Sequence, residues 1–405
     1  MKNKFNPGFT YILLWCLYNL QGTFYASGGI ISQTLLLTLL IWSIYHFFIV
    51  NINQSQNVPT FIKAINIFLI MATIYGSILM LSGQELYITE GEYKKVPNFS
   101  YLKEVLTSLL PIYPIYNYTR KGYINQRNIG ILLLLLVGVA WGQYFRFQTE
   151  AVANAMAEGY IREEFTNNTG YSFLALLPLL LIWNKKPLLQ YVLFLICIGG
   201  IIICMKRGAI IIGAVCAIYF IYSSLKTAKG STKFAIVILS ALAIIATISI
   251  VRDLLVTSDY FVYRIEQTLE GNSSNRDIIY SHLWDTFINE SNPLILLFGR
   301  GANATLTVAP NLAHNDWLEL ITNQGIIGIV IYLWFYIAML KDIKKIKHSN
   351  TLYARVLFMS FIVLFLRTIF SMSYGDIDIV LMLAIGFVLG SSNMYARRHP
   401  VNISA

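Results

Sequence analysis

Apolar stretches of about 17 to 25 residues recur from one end of the chain to the other, separated by shorter polar connections. A stretch of that length crosses a hydrocarbon core of ~30 Å as a helix, which satisfies its own backbone hydrogen bonds in lipid. The pattern therefore predicts an all-α polytopic membrane protein with about twelve transmembrane helices. The predicted spans are residues 9–26, 29–50, 62–82, 101–118, 129–147, 170–184, 187–205, 208–225, 234–251, 325–340, 352–371 and 377–394.

The connection between the ninth and tenth spans is far longer than any other, which predicts three regions. These are an N-terminal transmembrane bundle (1–251), a catalytic loop (252–324) and C-terminal transmembrane helices (325–405). Within the loop, the apolar residues that follow Arg276 recur every three to four positions, which predicts an amphipathic helix on the membrane surface. Ser274 or Asn275 is a suitable N-cap for it, and the helix should end near Asn292.

Composition excludes an ordinary soluble domain. The chain is 56% hydrophobic and 12% charged, with a mean hydropathy of +0.60, whereas soluble domains carry about a quarter charged residues. The four cysteines all lie in apolar stretches, which indicates neither a disulfide framework nor a zinc site. The first apolar stretch lacks a small-x-small cleavage site and is expected to be a retained span.

The formal charge of +10 does not indicate a nucleic-acid partner, because the basic residues lie in short connections between spans. With both chain ends in the cytoplasm, the twelve-span topology places 18 of the 30 basic residues inside. The same topology places only one of the 20 acidic residues, Asp342, inside. This is the positive-inside bias, and it predicts a multi-pass protein of the bacterial inner membrane whose long loop faces the periplasm.

Candidate chemistry is concentrated at the predicted outer surface. Lys206 and Arg207 form the tip of a hairpin between two spans, where a cation is costly and therefore a functional candidate. Arg276 opens the predicted surface helix, beside free backbone N–H groups that favour an anion. Further along, Arg300 stands between two glycines, and the string from His314 to Leu320 leads into a span that begins with small residues.

Taken together, these motifs indicate one protein family. The string AHNDWLELITNQGIIG, preceded by FGRG and by an arginine that opens a helix, resembles the C-terminal signature of the O-antigen ligase and polymerase superfamily. The upstream KRGA resembles the Arg-Gly element of the same family. The resemblance covers residues 190–340 by motif, and the whole chain by span count and long late loop. It implies a GT-C-like membrane glycosyltransferase that takes a glycan from an undecaprenyl diphosphate carrier on the periplasmic side.

The resemblance implies roles for individual residues. Arg207 and Arg276 match the arginines that handle the diphosphate, and His314 matches the histidine near the acceptor, a candidate general base. Guanidinium groups bind phosphate oxygens bidentately and remain charged, and a neutral histidine accepts a proton near pH 7. Neither a cofactor nor a metal is expected, and the displacement is expected to be inverting. The remaining candidate substrate contacts are Lys206, Arg300, Asn315 and Trp317; Lys206 stands where a small hydroxyl residue is frequent, and Trp317 can stack on a sugar.

Each residue taken alone has a plainer interpretation. Arg207 can snorkel to lipid headgroups, and Arg276 can pair with a neighbouring acid. His282 shares the predicted surface helix but matches no family motif. Asp376 and Asp378 imitate a metal-binding Asp-x-Asp motif, yet they lie in a short outer loop away from cytosolic nucleotide sugars. Arg367, within the eleventh span, is a second-rank candidate phosphate contact.

The acceptor stays open at this stage. The first hypothesis is a polymerase that joins carrier-linked O-antigen or capsular units, and a compact chain with a modest loop favours it. A ligase that transfers glycan to lipid A-core and a protein O-oligosaccharyltransferase share the donor chemistry. A lipid-linked glycan transporter is the alternative of another class, but it predicts two related halves, and the sequence has no clear internal repeat. The expected partners are the lipid bilayer, the carrier-linked donor, the glycan or lipid acceptor, and other polysaccharide-assembly proteins.

Overall fold

The computed structural model describes residues 6–21, 26–53, 58–89, 93–157, 166–183, 186–269, 276–372 and 378–398. The N-terminal half contains α1 (Pro7–Asn19), α2 (Ile30–Asn53), α3 (Thr60–Ser82), β1 (Leu86–Ile88), β2 (Lys94–Val96), α4 (Asn98–Leu109), α5 (Ile112–Arg120), α6 (Gln126–Ala157), α7 (Thr169–Leu180) and α8 (Pro187–Ile203). The C-terminal half contains α9 (Arg207–Thr227), α10 (Gly230–Thr257), α11 (Asp259–Leu269), α12 (Arg276–Ile288), α13 (Pro293–Phe298), α14 (Thr305–Val308), α15 (Asp316–Ser349), α16 (Thr351–Phe370) and α17 (Ile379–Arg398).

The protein is a predominantly helical, polytopic membrane protein. Within the described ranges, seven helices are long and apolar enough to cross a membrane, namely α2, α3, α6, α9, α10, α15 and α16. Three shorter apolar helices coincide with the predicted sixth, seventh and twelfth spans. The predicted first span overlaps α1, whereas the predicted fourth span is divided between α4 and α5. The division falls at Pro111, because proline lacks the N–H that a continuous helix needs. The count of twelve spans stays a prediction.

The surface of these helices is apolar, as contact with lipid requires. Of the 28 residues of α10, only Ile236, Ser240 and Ala243 are buried, although the helix is strongly hydrophobic. Ile218 on α9 and Phe234 on α10 are 71% and 69% exposed. Exposure of an apolar helix face to water is unfavourable in free energy, so these faces are suited to contact with a bilayer.

The largest side chains in the interior of the bundle are aromatic. Phe61 and Phe68 of α3 pack against Phe335 of α15, and all three are fully buried. At the end of this helix pair, Asp342 accepts hydrogen bonds from the backbone N–H groups of Thr60 and Phe61 at 3.2 and 2.8 Å. A carboxylate is stabilised at a helix N-terminus. The one acid predicted on the inside therefore has a structural partner at the start of α3.

The region from residue 252 to residue 324 contains more helix than the sequence indicated. α10 continues to Thr257, and α15 begins at Asp316, nine residues before the predicted tenth span. α15 is interrupted at Gly325, whose φ of 63° is not helical. The connection between α3 and α4 also holds an antiparallel β-hairpin, with Tyr87 opposite Lys95. Apart from this short hairpin, the described elements are helical, which is consistent with the predicted all-α fold class.

The surface helix begins at Arg276 as predicted, but it is not amphipathic in the predicted way. It ends at Ile288, and the proposed caps Ser274 and Asn275 lie outside the described residues. Ile279 and Leu283 are buried against Ala309 and Ala313, whereas the apolar residues Ile278, Trp284 and Ile288 are exposed. The apolar side chains therefore form two stripes. One stripe packs on the protein, and the other is left at the surface.

Candidate active site

A cavity of about 560 Å³ opens where several helices begin, within the size range of small-molecule sites. It is lined by residues at the N-terminal ends of four helices, namely Asn168 and Thr169 at α7, Lys206 at α9, His314 before α15, and Asp378 at α17. Each helix N-terminus carries a partial positive charge of about half an elementary charge. The side chains of Lys206 and Arg367 add full cations. The cavity is therefore suited to an anion.

Lys206 and Arg207 are neighbours in the chain but face different spaces. Met205, which precedes them, has a left-handed backbone with φ of 53°. Lys206 itself is extended, and α9 begins with Arg207. Because successive side chains of extended backbone point to opposite sides, Lys206 lines the polar cavity while Arg207 lines a second, apolar space. The turn is also fixed to α7, since the backbone N–H of Asn167 donates to the carbonyl of Cys204 at 2.9 Å.

The apolar space beside Arg207 is a groove of about 590 Å³ between α8, α9, α10 and α11. Its walls are aliphatic apart from Arg207, Thr247 and a few aromatic rings. Ile211, Ile218 and Ile248 line it and are also exposed at the surface of the bundle. The groove thus joins a cation to a lipid-facing apolar surface.

Arg276 lies beside the polar cavity. Its guanidinium donates to the carbonyl of Phe370 at 3.4 Å, immediately before the cavity residues Ser371 and Met372. One turn along α12, the hydroxyl of Tyr280 lies within hydrogen-bonding reach of the side chains of Asn315 and Arg276. Burial raises the pKa of the Tyr280 hydroxyl, and the adjacent arginine opposes the rise. Tyr280 thereby connects Arg276 to the residue that follows His314.

His314 stands in a strained turn before α15. Its φ is 52°, a left-handed conformation that is uncommon for a residue with a side chain. The turn is held from both sides. Asn315 caps α15 by accepting from the backbone N–H groups of Trp317 and Leu318 at 3.0 and 3.3 Å. On the other side, the backbone N–H of Ala313 donates to the buried carboxylate of Glu319.

No role is predicted for Glu319 from the sequence pattern. It is fully buried and also accepts from the hydroxyl of Thr305 at 2.6 Å and from the side-chain amide of Asn323 at 3.2 Å. The network joins α14, α15 and the His314 turn. The signal available in the sequence was an acid one turn after the Asn315 cap and one turn before Asn323. Its other partners, Thr305 and Ala313, lie upstream in α14 and in the turn, at positions that helical spacing does not reveal.

The three remaining predicted substrate contacts, Arg300, Asn315 and Trp317, are not among the residues that line the cavity. Arg300 forms an ion pair with Glu290. The indole N–H of Trp317 donates to Thr368 at 3.0 Å, and its ring packs edge-on against Tyr332. Asn315 acts as a helix cap. These contacts give all three residues structural partners, and their roles toward a substrate stay predictions.

The glycines of the FGRG and NQG motifs have a structural explanation. Gly299 and Gly325 both have positive φ, and their backbones lie against each other. A Cβ on Gly325 would come within 2.6 Å of the backbone nitrogen of Gly299. The backbone N–H groups of Arg300 and Gly301 donate to the carbonyls of Thr322 and Asn323, both at 2.9 Å. The two motifs therefore fasten the loop to the kink of α15.

Other acids and histidines contribute less to the cavity. His282 is exposed on α12. Asp378 lines the cavity and caps α17 by accepting from the backbone N–H of Val380 at 2.8 Å, while Asp376 lies outside the described residues. In the part of the chain that the structure describes, no group of three or more His, Cys, Asp or Glu side chains is placed to hold a metal ion.

The comparisons agree with the motifs. Residues 192–333 match the family model described as O-antigen ligase, a segment that begins in α8 and ends in α15. It contains Lys206, Arg207, Arg276 and His314, whereas Arg367 and the start of α7 lie beyond it. No curated protein matches the chain. The matched segment comprises 142 of the 405 residues, and it supports the resemblance of this part of the chain to the O-antigen ligase and polymerase superfamily.

Proposed function

We propose that the protein is a polymerase of the bacterial inner membrane that joins undecaprenyl-diphosphate-linked O-antigen or capsular glycan units on the periplasmic side. The twelve-span GT-C-like topology and the division into two transmembrane regions and a catalytic loop form part of this proposal. One observation carries it. A cationic cavity and an apolar, lipid-facing groove meet at two consecutive residues, Lys206 and Arg207.

This arrangement fits a ligand with a charged head and a long hydrocarbon tail. A polyprenyl diphosphate would place its phosphates between the cavity and Arg207, and its isoprenoid tail along α9 and α10. Burial of apolar surface contributes roughly 25 cal/mol per Å² to such binding. The guanidinium groups of Arg207 and Arg276 can each donate two parallel hydrogen bonds to phosphate oxygens. A free sugar nucleotide would leave the groove empty.

The chemistry then follows from where charge develops. An acceptor hydroxyl attacks the anomeric carbon of the donor, and the bond between that carbon and the diphosphate oxygen breaks. The leaving diphosphate gains a negative charge, which the two arginines and the helix N-termini stabilise. The hydroxyl proton passes to His314, a general base that supplies roughly 10²- to 10⁴-fold of the rate. Attack opposite the leaving group inverts the anomeric centre, and no metal takes part.

A ligase is the second candidate, because the matching family model carries the description O-antigen ligase. It would use the same donor and would move the finished glycan to lipid A-core. The two functions differ only in the molecule that supplies the acceptor hydroxyl. The acceptor must therefore be tested directly.

The experiment uses the purified full chain in proteoliposomes with a defined undecaprenyl-diphosphate-linked repeat unit, with or without lipid A-core. We expect a ladder of lengthened carrier-linked glycans that disappears in His314→Ala and persists in His282→Ala, a matched control at an exposed histidine. Transfer only to lipid A-core would replace the polymerase with the ligase. Movement of the lipid-linked unit across the bilayer without any new glycosidic bond would contradict both and support a transporter.

A further inference from the structure

An arginine outside the family match is buried at the polar cavity. Arg367 lies in the last turn of α16, is 7% exposed and lines the cavity together with Lys206 and His314. A buried guanidinium within an apolar helix is costly and requires compensation. Near the C-terminus of α16 the helix dipole gives part of that compensation. The dipole alone does not explain why the side chain lines a cavity.

Tyr171 positions this arginine. The guanidinium carbon of Arg367 lies 4.9 Å from the centre of the Tyr171 ring, and both residues line the cavity. A cation–π contact engages the face of the guanidinium, whereas phosphate oxygens are bound by N–H groups at its edge. The two contacts are therefore compatible in one side chain. Tyr171 holds Arg367 at the cavity without neutralising its charge.

The end of α16 also connects the two arginine motifs. Phe370, one turn after Arg367, accepts a hydrogen bond from Arg276 through its carbonyl. The same residue packs against Gly208, where a Cβ would come within 2.9 Å of the Phe370 Cβ and 2.6 Å of the Tyr171 hydroxyl. The backbone that carries Arg367 is thus fixed against Arg276 and against the turn that carries Arg207. Three helices that each carry one of these arginines, α9, α12 and α16, therefore meet at Phe370.

We propose that Arg367 is a third phosphate-binding arginine of the donor site, positioned by Tyr171, an inference that rests on the proposed function. Departure of the glycan leaves a polyprenyl diphosphate with one more negative charge than the donor had. A third guanidinium favours this state over the bound donor. Among the described residues that line the cavity, Asp378 is the one carboxylate, and it also caps α17. Its negative charge opposes the binding of a phosphate at Arg367. Asp378→Asn is therefore expected to keep or strengthen diphosphate binding.

The test measures binding of undecaprenyl diphosphate and of uncharged undecaprenol to the full chain in nanodiscs. Arg367→Gln should weaken diphosphate binding roughly ten- to a hundredfold, as expected for a charge-assisted contact, and leave undecaprenol binding unchanged. Arg367→Lys should recover part of the loss. Arg355→Gln is the matched control. It removes an arginine from the opposite end of α16, where its guanidinium donates to the carbonyl of Ser223 at 2.9 Å.

Tyr171→Leu and Tyr171→Phe provide a second test if Arg367→Gln does not fold. Loss of the ring should weaken diphosphate binding, whereas Phe keeps the ring and should preserve most of it. Diphosphate binding by Arg367→Gln equal to that of the wild type, or an equal loss in Arg355→Gln, would overturn the inference while the proposed function stands. A wild-type protein that binds both lipids equally would overturn the proposed function itself.

Discussion

The polar cavity and the apolar groove lie on either side of one short turn, but they are lined by side chains of opposite character. The cavity has helix N-termini, Lys206, Arg367 and His314 in its lining, whereas the groove has almost only aliphatic side chains around Arg207. Both have a similar volume, about 560 and 590 Å³. Size therefore does not distinguish them.

The difference is in what each can recognise. Charge and oriented dipoles select an anion and fix its position, whereas aliphatic walls select only for apolar area and length. A carrier lipid needs both kinds of recognition at once. Both kinds of recognition are available at one turn. After the left-handed residue Met205, the extended backbone of Lys206 directs two consecutive cations into two different spaces.

The largest effect is expected at His314. Replacement by alanine should lower the rate of transfer by about 10²- to 10⁴-fold, because the acceptor hydroxyl loses its general base. Binding of undecaprenyl diphosphate should stay within a fewfold of the wild type, since His314 acts on the acceptor. Single-turnover transfer and lipid binding should be measured on the same preparation. A loss of binding as large as the loss of rate would assign His314 to the donor instead.

Arg207→Gln should have the next largest effect, because this residue stands where the two spaces meet. We expect roughly a ten- to a hundredfold loss of affinity for the diphosphate lipid. Arg252→Gln is the control, since Arg252 is exposed on α10 and does not line the groove. Equal losses in the two variants would indicate a general effect of surface charge.

A smaller and more selective effect is expected in the groove. Ala214 lines it, whereas its exposed neighbour Val215 does not. Ala214→Trp should raise the KM for a full-length polyprenyl donor roughly tenfold, because each buried CH₂ contributes about 0.8 kcal/mol. The KM for a short-chain donor should barely change. If Val215→Trp raised the KM equally, or if tail length made no difference, the tail would lie elsewhere.

The smallest effect concerns the contact between the two arginine motifs. A Cβ at residue 208 would approach Tyr171 and Phe370 closely, so Gly208→Ala should destabilise the protein by about 1–3 kcal/mol, less up to ~1 kcal/mol gained from helix propensity. Gly138→Ala is the control, because open space surrounds that position. Denaturant unfolding should show a loss of stability only at residue 208. Wild-type stability in Gly208→Ala would mean that the contact is loose.

The helices were largely predictable from the sequence, because apolar length is a local property. The exceptions are elements whose local sequence signal is weaker than that of a long apolar helix. Pro111 divides a predicted span, and the strands of the 86–96 hairpin are too short for a periodic signal. The early start of α15 at Asp316 was missed because Asp316 and Glu319 are charged, and their burial depends on partners such as Tyr332 and Thr305.

The candidate site was predictable only in part. Motif resemblance singled out Lys206, Arg207, Arg276 and His314, and the structure places Lys206 and His314 in one cavity, with Arg276 beside it. Tyr171 belongs to no recognised motif, and Arg367 was only a second-rank candidate for a phosphate contact. Their relation depends on which faces of α7 and α16 meet, and a single sequence contains no signal for contacts at that separation. Local patterns also could not show that Arg300 pairs with Glu290.

The most direct test is photo-crosslinking of the protein with an undecaprenyl-diphosphate-linked glycan that carries a photoreactive group in its isoprenoid tail, followed by peptide mapping. The account predicts labels on the groove-lining residues between Phe194 and Ile265, reduced by unlabelled undecaprenyl diphosphate and by Arg207→Gln. Labels spread over the lipid-facing surfaces of α2 and α3, or labelling that undecaprenyl diphosphate does not reduce, would contradict the joined cavity and groove as the carrier site.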